Sequence, residues 1–357
     1  MFKRLLVSCL FLLLVLALYL LFAPVALEPQ AFQPQAAPPL TGIFASNHRL
    51  AEVERLAEGI GFGPEEVAFD VAGYMYAGME DGRIVRMNAD GEGAAVFAST
   101  NGRPLGMSFD AAGHLIVADA GMGLLSISPS GQITILTNEA EGKPIVLADD
   151  LAIAADSMIY LSDASIYPLT DHLRMELLDG RPHGRLLAYD PNARTTRVLL
   201  DSLYFANGVT LSPHEDCVLV TETAAYRVTR YWLAGPQKGR HDRFIENLPG
   251  FPDNITWNEK DTYWLALASP RKPAVEILQR HPFLRKIILR LPRSWIPAPQ
   301  PTPHGLVLGI DVNGRVIHNL QDPTGKHAMQ VTSVLEHKGK LYLGTIGDDA
   351  IKRLCLP

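Results

Sequence analysis

Cysteine is nearly missing: there are 3 in 357 residues, one of them inside an apolar N-terminal run. Cys217 and Cys355 fall in the fourth and sixth copies of a repeated strand pattern. Non-neighbouring repeats cannot bring two Cα atoms within disulfide reach, so stability has to come from packing and from closure of the repeat array. Charge is also sparse, at 20% of residues, and the net value of −6 arises without acidic or basic blocks. That excludes a nucleic-acid-binding surface and a charged disordered tail. Strong helical periodicity is missing beyond the apolar run 5–22, which leaves strands to build the fold. At 47% hydrophobic, the chain suits one large all-β domain.

Lys3 and Arg4 precede the apolar run, whose length is near the lower limit for crossing a bilayer. Positive charge at the short end keeps that end cytoplasmic. A cleaved signal peptide is the competing reading, but Ala23-Pro24-Val25-Ala26-Leu27 offers no clean small-x-small cleavage site. The expectation is a cytoplasmic stub and single-pass anchor at 1–23, with the body of the protein on the periplasmic, extracellular or luminal side. Residues 24–47, rich in Pro, Ala and Gln, read as a semi-extended tether.

From 48 to 357 the strand pattern repeats six times. Second strands are expected at 115–119, 159–163, 218–222 and 341–345, third strands at 83–87, 124–128, 185–189 and 306–311, and outer strands at 94–98, 132–136, 196–200, 242–246 and 316–319. Turns such as Asp81-Gly82, Asp90-Gly91 and Asn313-Gly314 separate them. The last repeat runs out after three strands, while an unassigned strand-like piece at 51–57 precedes the first. Pairing the two closes a six-bladed β-propeller and leaves only short, protected edges. A β-sandwich is the alternative, but six copies in phase exceed what it needs.

One position, just ahead of each repeat's first strand, reads Glu65, Leu105, Asp149, Asn207, Asp253 and Val331. In a closed ring, equivalent positions face one axis, so four oxygen-bearing side chains should converge, with Asn254 reaching in as a fifth. Alone, each is an ordinary turn or cap residue. Together, three converging carboxylates would repel one another unless a cation joined them. Oxygen ligands without Cys or His point to Ca2+. Glu66 and Asp150 occupy the next step down, where a second ion would fit. Two long loops, 164–184 and 268–304, leave from the ligand face and would make lids. The second carries a basic amphipathic stretch at 283–295, for which pocket lining, anionic lipid and plain surface cover all stand as readings.

The segments Gly63-Pro64-Glu65, Arg103-Pro104-Leu105-Gly106, 205–213, 248–255 and 335–344 resemble the strictosidine synthase-like family, from about Phe62 to the C-terminus. More distantly the chain is similar to paraoxonases, gluconolactonase/regucalcin proteins and diisopropyl fluorophosphatase, all six-bladed calcium propellers. The resemblance implies that Glu65, Asn207, Asp253 and Asn254 hold a catalytic ion, with Asp149 where relatives commonly have Asn. It matches Asp150 to a ligand of the buried structural ion of paraoxonases. The extra charge of Asp149 should tighten calcium and weaken it as a Lewis acid.

Thr332 stands where strictosidine synthase has its glutamate, and Leu105 and Ala120 stand where paraoxonases have a histidine pair. Neither mechanism transfers. The scheme of the lactonase and phosphotriesterase relatives remains, with calcium polarising a carbonyl or phosphoryl oxygen and Asp253 as base or nucleophile. A carboxylate on calcium is a weak base, which limits it to activated esters, lactones and similar electrophiles. His172, His183 and His304, from the long loops, are candidate assistants and more ordinarily packing residues. The expected function is a membrane-anchored, calcium-dependent hydrolase of esters or lactones. The alternatives are a non-catalytic propeller that binds a ligand or partner around a structural ion, and a condensing enzyme or lyase.

Overall fold

Short apolar runs broken by turns that cap themselves build this fold. After several first strands an Asp or Asn side chain accepts the backbone N–H four residues on: Asp70 from Tyr74 (2.9 Å), Asp110 from His114 (2.8 Å) and Asn258 from Thr262 (3.0 Å). Such a turn fixes the hairpin and hence the register. The computed structural model describes residues 2–296 and 299–356, and these fall into two compact units.

The larger unit, residues 34–170, 182–271 and 301–357, is a six-bladed β-propeller. Its described strands form six four-stranded antiparallel sheets and one small hairpin, Glu139–Ala140 with Lys143–Pro144. Blade 1 runs Val67–Phe69, Met75–Gly78, Arg83–Met87, Ala95–Ser99, and blades 2 to 5 repeat that order. Blade 6 takes Val331–His337, Lys340–Thr345 and Ile351–Cys355 from the C-terminus and Glu54–Leu56 from the N-terminal side, with Leu56 opposite Ile351. The first strand of each blade touches that of the next, and the sixth touches the first.

Charged groups latch this closure. Arg55 donates to both oxygens of Asp348 (2.6 and 3.0 Å) and to Asp349 (2.9 Å), and Lys352 also binds Asp348. Burial opposes ionisation of Asp348, yet the bonds from Arg55 and Lys352 hold its carboxyl well below the usual range. The core lies between the sheets, as in the cluster of Tyr263, Leu265, Leu267, Leu306, Leu308 and Ile310 with residues of blade 4. The three cysteines are free. The later part of the expected tether is not loose: Asn319 donates to the carbonyls of Ile43 (2.8 Å) and Ala45 (2.9 Å), and Leu50 is fully buried.

The smaller unit, residues 1–33, 171–181 and 272–300, is helical. Helix α1 (Phe2–Phe22) is long and apolar enough to cross a membrane, with no buried residue. Helices α2 (His172–Asp179), α3 (Pro273–Arg280) and α4 (Pro282–Leu289) come from the two long loops. Of these only α4 is foreshadowed, by the basic amphipathic stretch at 283–295; α2 and α3, of the same eight-residue length, carry no such stretch in the pattern read from the sequence. The loops do not form two separate flaps. Arg285, fully buried, donates to the carbonyls of Leu278, Gln30 (2.8 Å) and Asp179 (3.2 Å), tying α3, α2 and the segment after α1 to α4.

Candidate metal centre

Glu65 precedes its first strand, as the pattern suggests, but the ligand positions of blades 2 to 5 lie within theirs, at a break in the ladder. In blade 3, Ala148 pairs with Asp163 and Leu151 with Leu161, so Asp149 and Asp150 together oppose the single residue Ser162. The same irregularity places Leu105 and Gly106 in blade 2, Asn207 and Gly208 in blade 4, and Asp253 and Asn254 in blade 5. A β-bulge of this kind breaks strict alternation, so two consecutive side chains need not point to opposite faces. That is how both Asp253 and Asn254 become buried ligand candidates.

Glu65, Asp149, Asn207, Asp253 and Asn254 are all buried. Four side-chain oxygens among them lack any hydrogen-bond partner: Glu65 Oε2, Asn207 Oδ1, Asp253 Oδ1 and Asn254 Oδ1. Buried polar atoms are ordinarily satisfied, so four orphaned oxygens from blades 1, 4 and 5 are an exception that asks for a cation. Two of the four are neutral amides. Among the described residues no three His, Cys, Asp or Glu side chains are gathered so as to hold an ion by themselves; an oxygen cage here has to include Asn207 and Asn254.

The electrostatics agree. Burial pushes Glu65 up to about 7, with the Arg103 guanidinium opposing. Burial and then the charges of Glu65 and Asp253 raise Asp149 well above its usual value. Asp253 is raised by burial and by Glu65, against a hydrogen bond from the Asn207 side chain. The orphaned oxygens and the oxygen-only donor set fit a hard divalent cation such as calcium.

The inner pair is built differently. Glu66 accepts the Met107 N–H (2.6 Å) of blade 2. Asp150 accepts those of Val209 (2.7 Å) of blade 4 and Leu151 (2.7 Å) of its own strand. Burial raises Asp150 to about 8 despite those two N–H groups, and burial and the Asp150 charge raise Glu66. These two carboxylates staple adjacent blades together, blade 1 to blade 2 and blade 3 to blade 4. Opposite them the sequence is bare: Gly106 lies against the Asp150 backbone and Gly208 against the Asn254 backbone.

Thr332 donates its hydroxyl to the Glu65 carbonyl (2.8 Å), as does Ser333 (2.8 Å), so this position fixes a ligand-bearing backbone. Leu105 and Ala120 are buried with Leu147, Ala164 and Phe205 in an apolar cluster at the same end of the blades. His304 is a packing residue, bound to Gln321 (3.2 Å) of the outer strand. His183 packs edge-on against Tyr167, and His172 begins α2 in the helical unit. The residue that sequence reasoning missed is Arg103, buried beside Glu65, with Nη2 on the Gly63 carbonyl (2.8 Å) and Nη1 unpartnered. Its only signal was a basic residue two positions ahead of the apolar Leu105.

The sign of a pH effect follows. Acids whose folded pKa is raised favour the folded state fully below their unfolded values near 4 and lose that contribution as pH rises through the folded pKa. With divalent cations chelated, the protein is therefore expected to melt lower at pH 8.5 than at pH 5.5, the loss running up from the unfolded values and levelling off above about 7 for Glu65 and about 8 for Asp150. Thermal melts across that range check it; a melting temperature that rises with pH contradicts the burial of ionised groups.

The strictosidine synthase family matches residues 149–236, and the strictosidine synthase-like N-terminal family matches residues 42–87. Adipocyte plasma membrane-associated protein of Bos taurus is 36% identical over 95% of this chain and 87% of its own length. Among solved structures, a gluconolactonase from Xanthomonas campestris superposes with a TM-score of 0.62 at 16% identity, over 94% of this chain and 99% of that one. Regucalcin from Agrobacterium tumefaciens, described as a calcium-binding protein, gives 0.60 at 12% identity over 85% and 93%. At these identities the two structures establish the propeller fold, and the 36% match to a plasma membrane-associated protein, along nearly the whole chain, places this protein in the strictosidine synthase-like family.

Proposed function

We propose that this protein is a membrane-anchored, calcium-dependent hydrolase of esters or lactones, its propeller lying on the non-cytoplasmic side. The observation that carries the reading is the set of four unpartnered buried oxygens on Glu65, Asn207, Asp253 and Asn254 at the ligand end of the propeller. Glu65, Asp149, Asn207, Asp253 and Asn254 would hold the ion, and Asp150 would hold a second one only through oxygen lone pairs that Leu151 and Val209 leave free. When bound, calcium supplies polarisation of the substrate's carbonyl oxygen.

Asp253 Oδ1 accepts the proton of the attacking water, or attacks directly, while the Asn207 amide steadies the carboxylate. Arg103 lies in the electrostatic neighbourhood of Glu65 and offsets part of the negative charge. The apolar group of Leu105, Ala120, Leu147, Ala164 and Phe205 offers a dry wall suited to an alkyl chain or a lactone ring. A gluconolactonase and a calcium-binding regucalcin with the same fold support this class of chemistry. Lys3 and Arg4 in the first turn of α1 support the orientation.

A second reading has its own observation: Leu105 and Ala120 are packed in apolar surroundings and Thr332 is occupied by the Glu65 carbonyl. A propeller binding a ligand or partner around a structural ion needs no more than that. A condensing enzyme is the weakest reading, because Thr332 offers no acid or base. Turnover of a panel of activated esters and lactones, with calcium and with chelator, decides. Hydrolysis that disappears on chelation and returns with calcium supports the hydrolase; hydrolysis that survives chelation rejects it. No turnover on any substrate, together with a chelator-induced loss of thermal stability, leaves the binding propeller.

A further inference from the structure

The helical unit shows a second feature, independent of the metal centre: apolar side chains left in the open on a strongly basic scaffold at the root of α1. From 272 to 296 the sequence has six basic residues, Lys272, Arg280, Arg285, Lys286, Arg290 and Arg293, against the single acid Glu276. Trp295 is 71% exposed, Phe283 53% and Ile277 51%, with Leu284 and Leu173 of the same unit also in the open. A soluble surface seldom leaves several large apolar side chains together in water.

The unit is fastened to the end of α1. Arg290, just past α4, donates to the carbonyls of Ala23 (2.6 Å) and Leu20 (3.0 Å), and the Tyr19 hydroxyl donates to the Arg290 carbonyl (3.1 Å). Those bonds go to neutral acceptors, so the charges of Arg290 and Arg285 are not cancelled, whereas Arg280, Lys286 and Arg293 pair with Glu276, Glu28 and Asp171 and the segment keeps a net positive charge. Where α1 crosses a bilayer, its last turn lies at headgroup depth, and a Tyr and an Arg there are the side chains that depth favours. The C-terminal end of α4 is held at the same level, and an amphipathic helix with Trp, Phe and Leu on one side and Lys and Arg on the other lies in the plane of an interface.

We infer that α3, α4 and the Arg293–Trp295 turn form a docking surface for anionic phospholipid, with Trp295, Phe283 and Ile277 entering the headgroup–acyl boundary and the phosphates drawn by the surplus of basic residues over their paired acids Glu28, Asp171 and Glu276. The occupant is the leaflet that α1 itself enters: it is continuous with that helix, it is of opposite charge, and it covers apolar groups that nothing else in the unit covers. The inference requires that α1 be retained, which an intact mass of the purified chain establishes first.

Trp295 supplies the probe, since α1 holds no tryptophan. The full chain is placed in vesicles of phosphatidylcholine or of phosphatidylcholine with about a third phosphatidylserine, and tryptophan emission is quenched with lipids brominated near the headgroup. Quenching is expected in the anionic vesicles, and the quenched component is expected to vanish in Trp295→Phe. Replacing Lys286 and Arg293 together by Gln should shift the docked fraction by about 25-fold, at about five-fold per juxtamembrane charge. Lipid quenching that Trp295→Phe does not reduce overturns the proposal, as does equal quenching in neutral and anionic vesicles. Absence of quenching in the anionic vesicles, as a Trp295 turned away from lipid would give, overturns it as well.

Discussion

Asp253→Asn is expected to lower calcium-dependent hydrolysis by about three orders of magnitude, while Asp149→Asn leaves the protein active. Both side chains are buried ligand candidates at bulges in first strands, and either substitution keeps an oxygen in place. The difference lies in what each carboxylate is asked to do. Asp253 carries an orphaned oxygen on an anion that can take a proton, and an amide there can ligate but cannot accept the proton of water. Asp149 adds charge, and the Glu65 and Asp253 charges raise its proton affinity.

Removing the Asp149 charge weakens calcium binding, by about ten-fold for roughly 1.4 kcal/mol of lost attraction, and makes the bound ion a stronger Lewis acid. The predicted pattern is a split: Asp253→Asn loses kcat with calcium affinity reduced only in part, and Asp149→Asn loses calcium affinity with kcat kept or raised. Steady-state kinetics at saturating calcium, beside calcium titrations of thermal stability, separate the two. Equal kcat losses in both variants would mean that the carboxylates act only as ligands, and the assignment of Asp253 as base or nucleophile would fail.

Much of the propeller is legible in the sequence because its signals are local and repeated. Strand alternation, the Asp or Asn turns after first strands, and the unassigned piece at 51–57 that became the Glu54–Leu56 edge all lie within a few residues of what they determine. The ring of ligand candidates is legible because equivalent positions in a closed array must face one axis. The bulges were not, since a two-against-one pairing belongs to both strands of a hairpin. Their trace is the doublets Asp149-Asp150, Asn207-Gly208 and Asp253-Asn254, which sequence alone reads as a ligand and its neighbour. The inter-blade stapling by Glu66 and Asp150 was equally hidden, because its donors are backbone N–H groups that any sequence supplies. The short helices α2 and α3 owe their existence to packing within the smaller unit, through contacts such as those of Arg285.

Glycines packed against the ligand-bearing backbone of a neighbouring blade carry the other large expected effect. A Cβ at Gly344 would come within 1.8 Å of the Glu65 carbonyl oxygen and 2.4 Å of Ser333 Oγ; at Gly208 it would meet Asn254 Cα, the Asp253 carbonyl and Ile255 N, all at 2.6 Å. Neither residue has a positive φ, so the requirement is for space between blades and not for a left-handed backbone. Backbone atoms cannot rotate aside as a side-chain tip can, so each substitution by Ala forces two blades apart at the axis. The cost is expected at or above the upper end of overpacking, about 3 kcal/mol. For Gly344 the displaced atom is the carbonyl that Thr332 and Ser333 hold, so calcium affinity should fall together with stability. Gly347→Ala is the matched control, because its nearest neighbour is the far end of the Gln330 side chain, which can swing away. Melting temperatures with and without calcium measure all three variants. Should Gly344→Ala melt like Gly347→Ala and bind calcium as tightly as the parent, the close approach of blades 1 and 6 does not hold the Glu65 ligand in place.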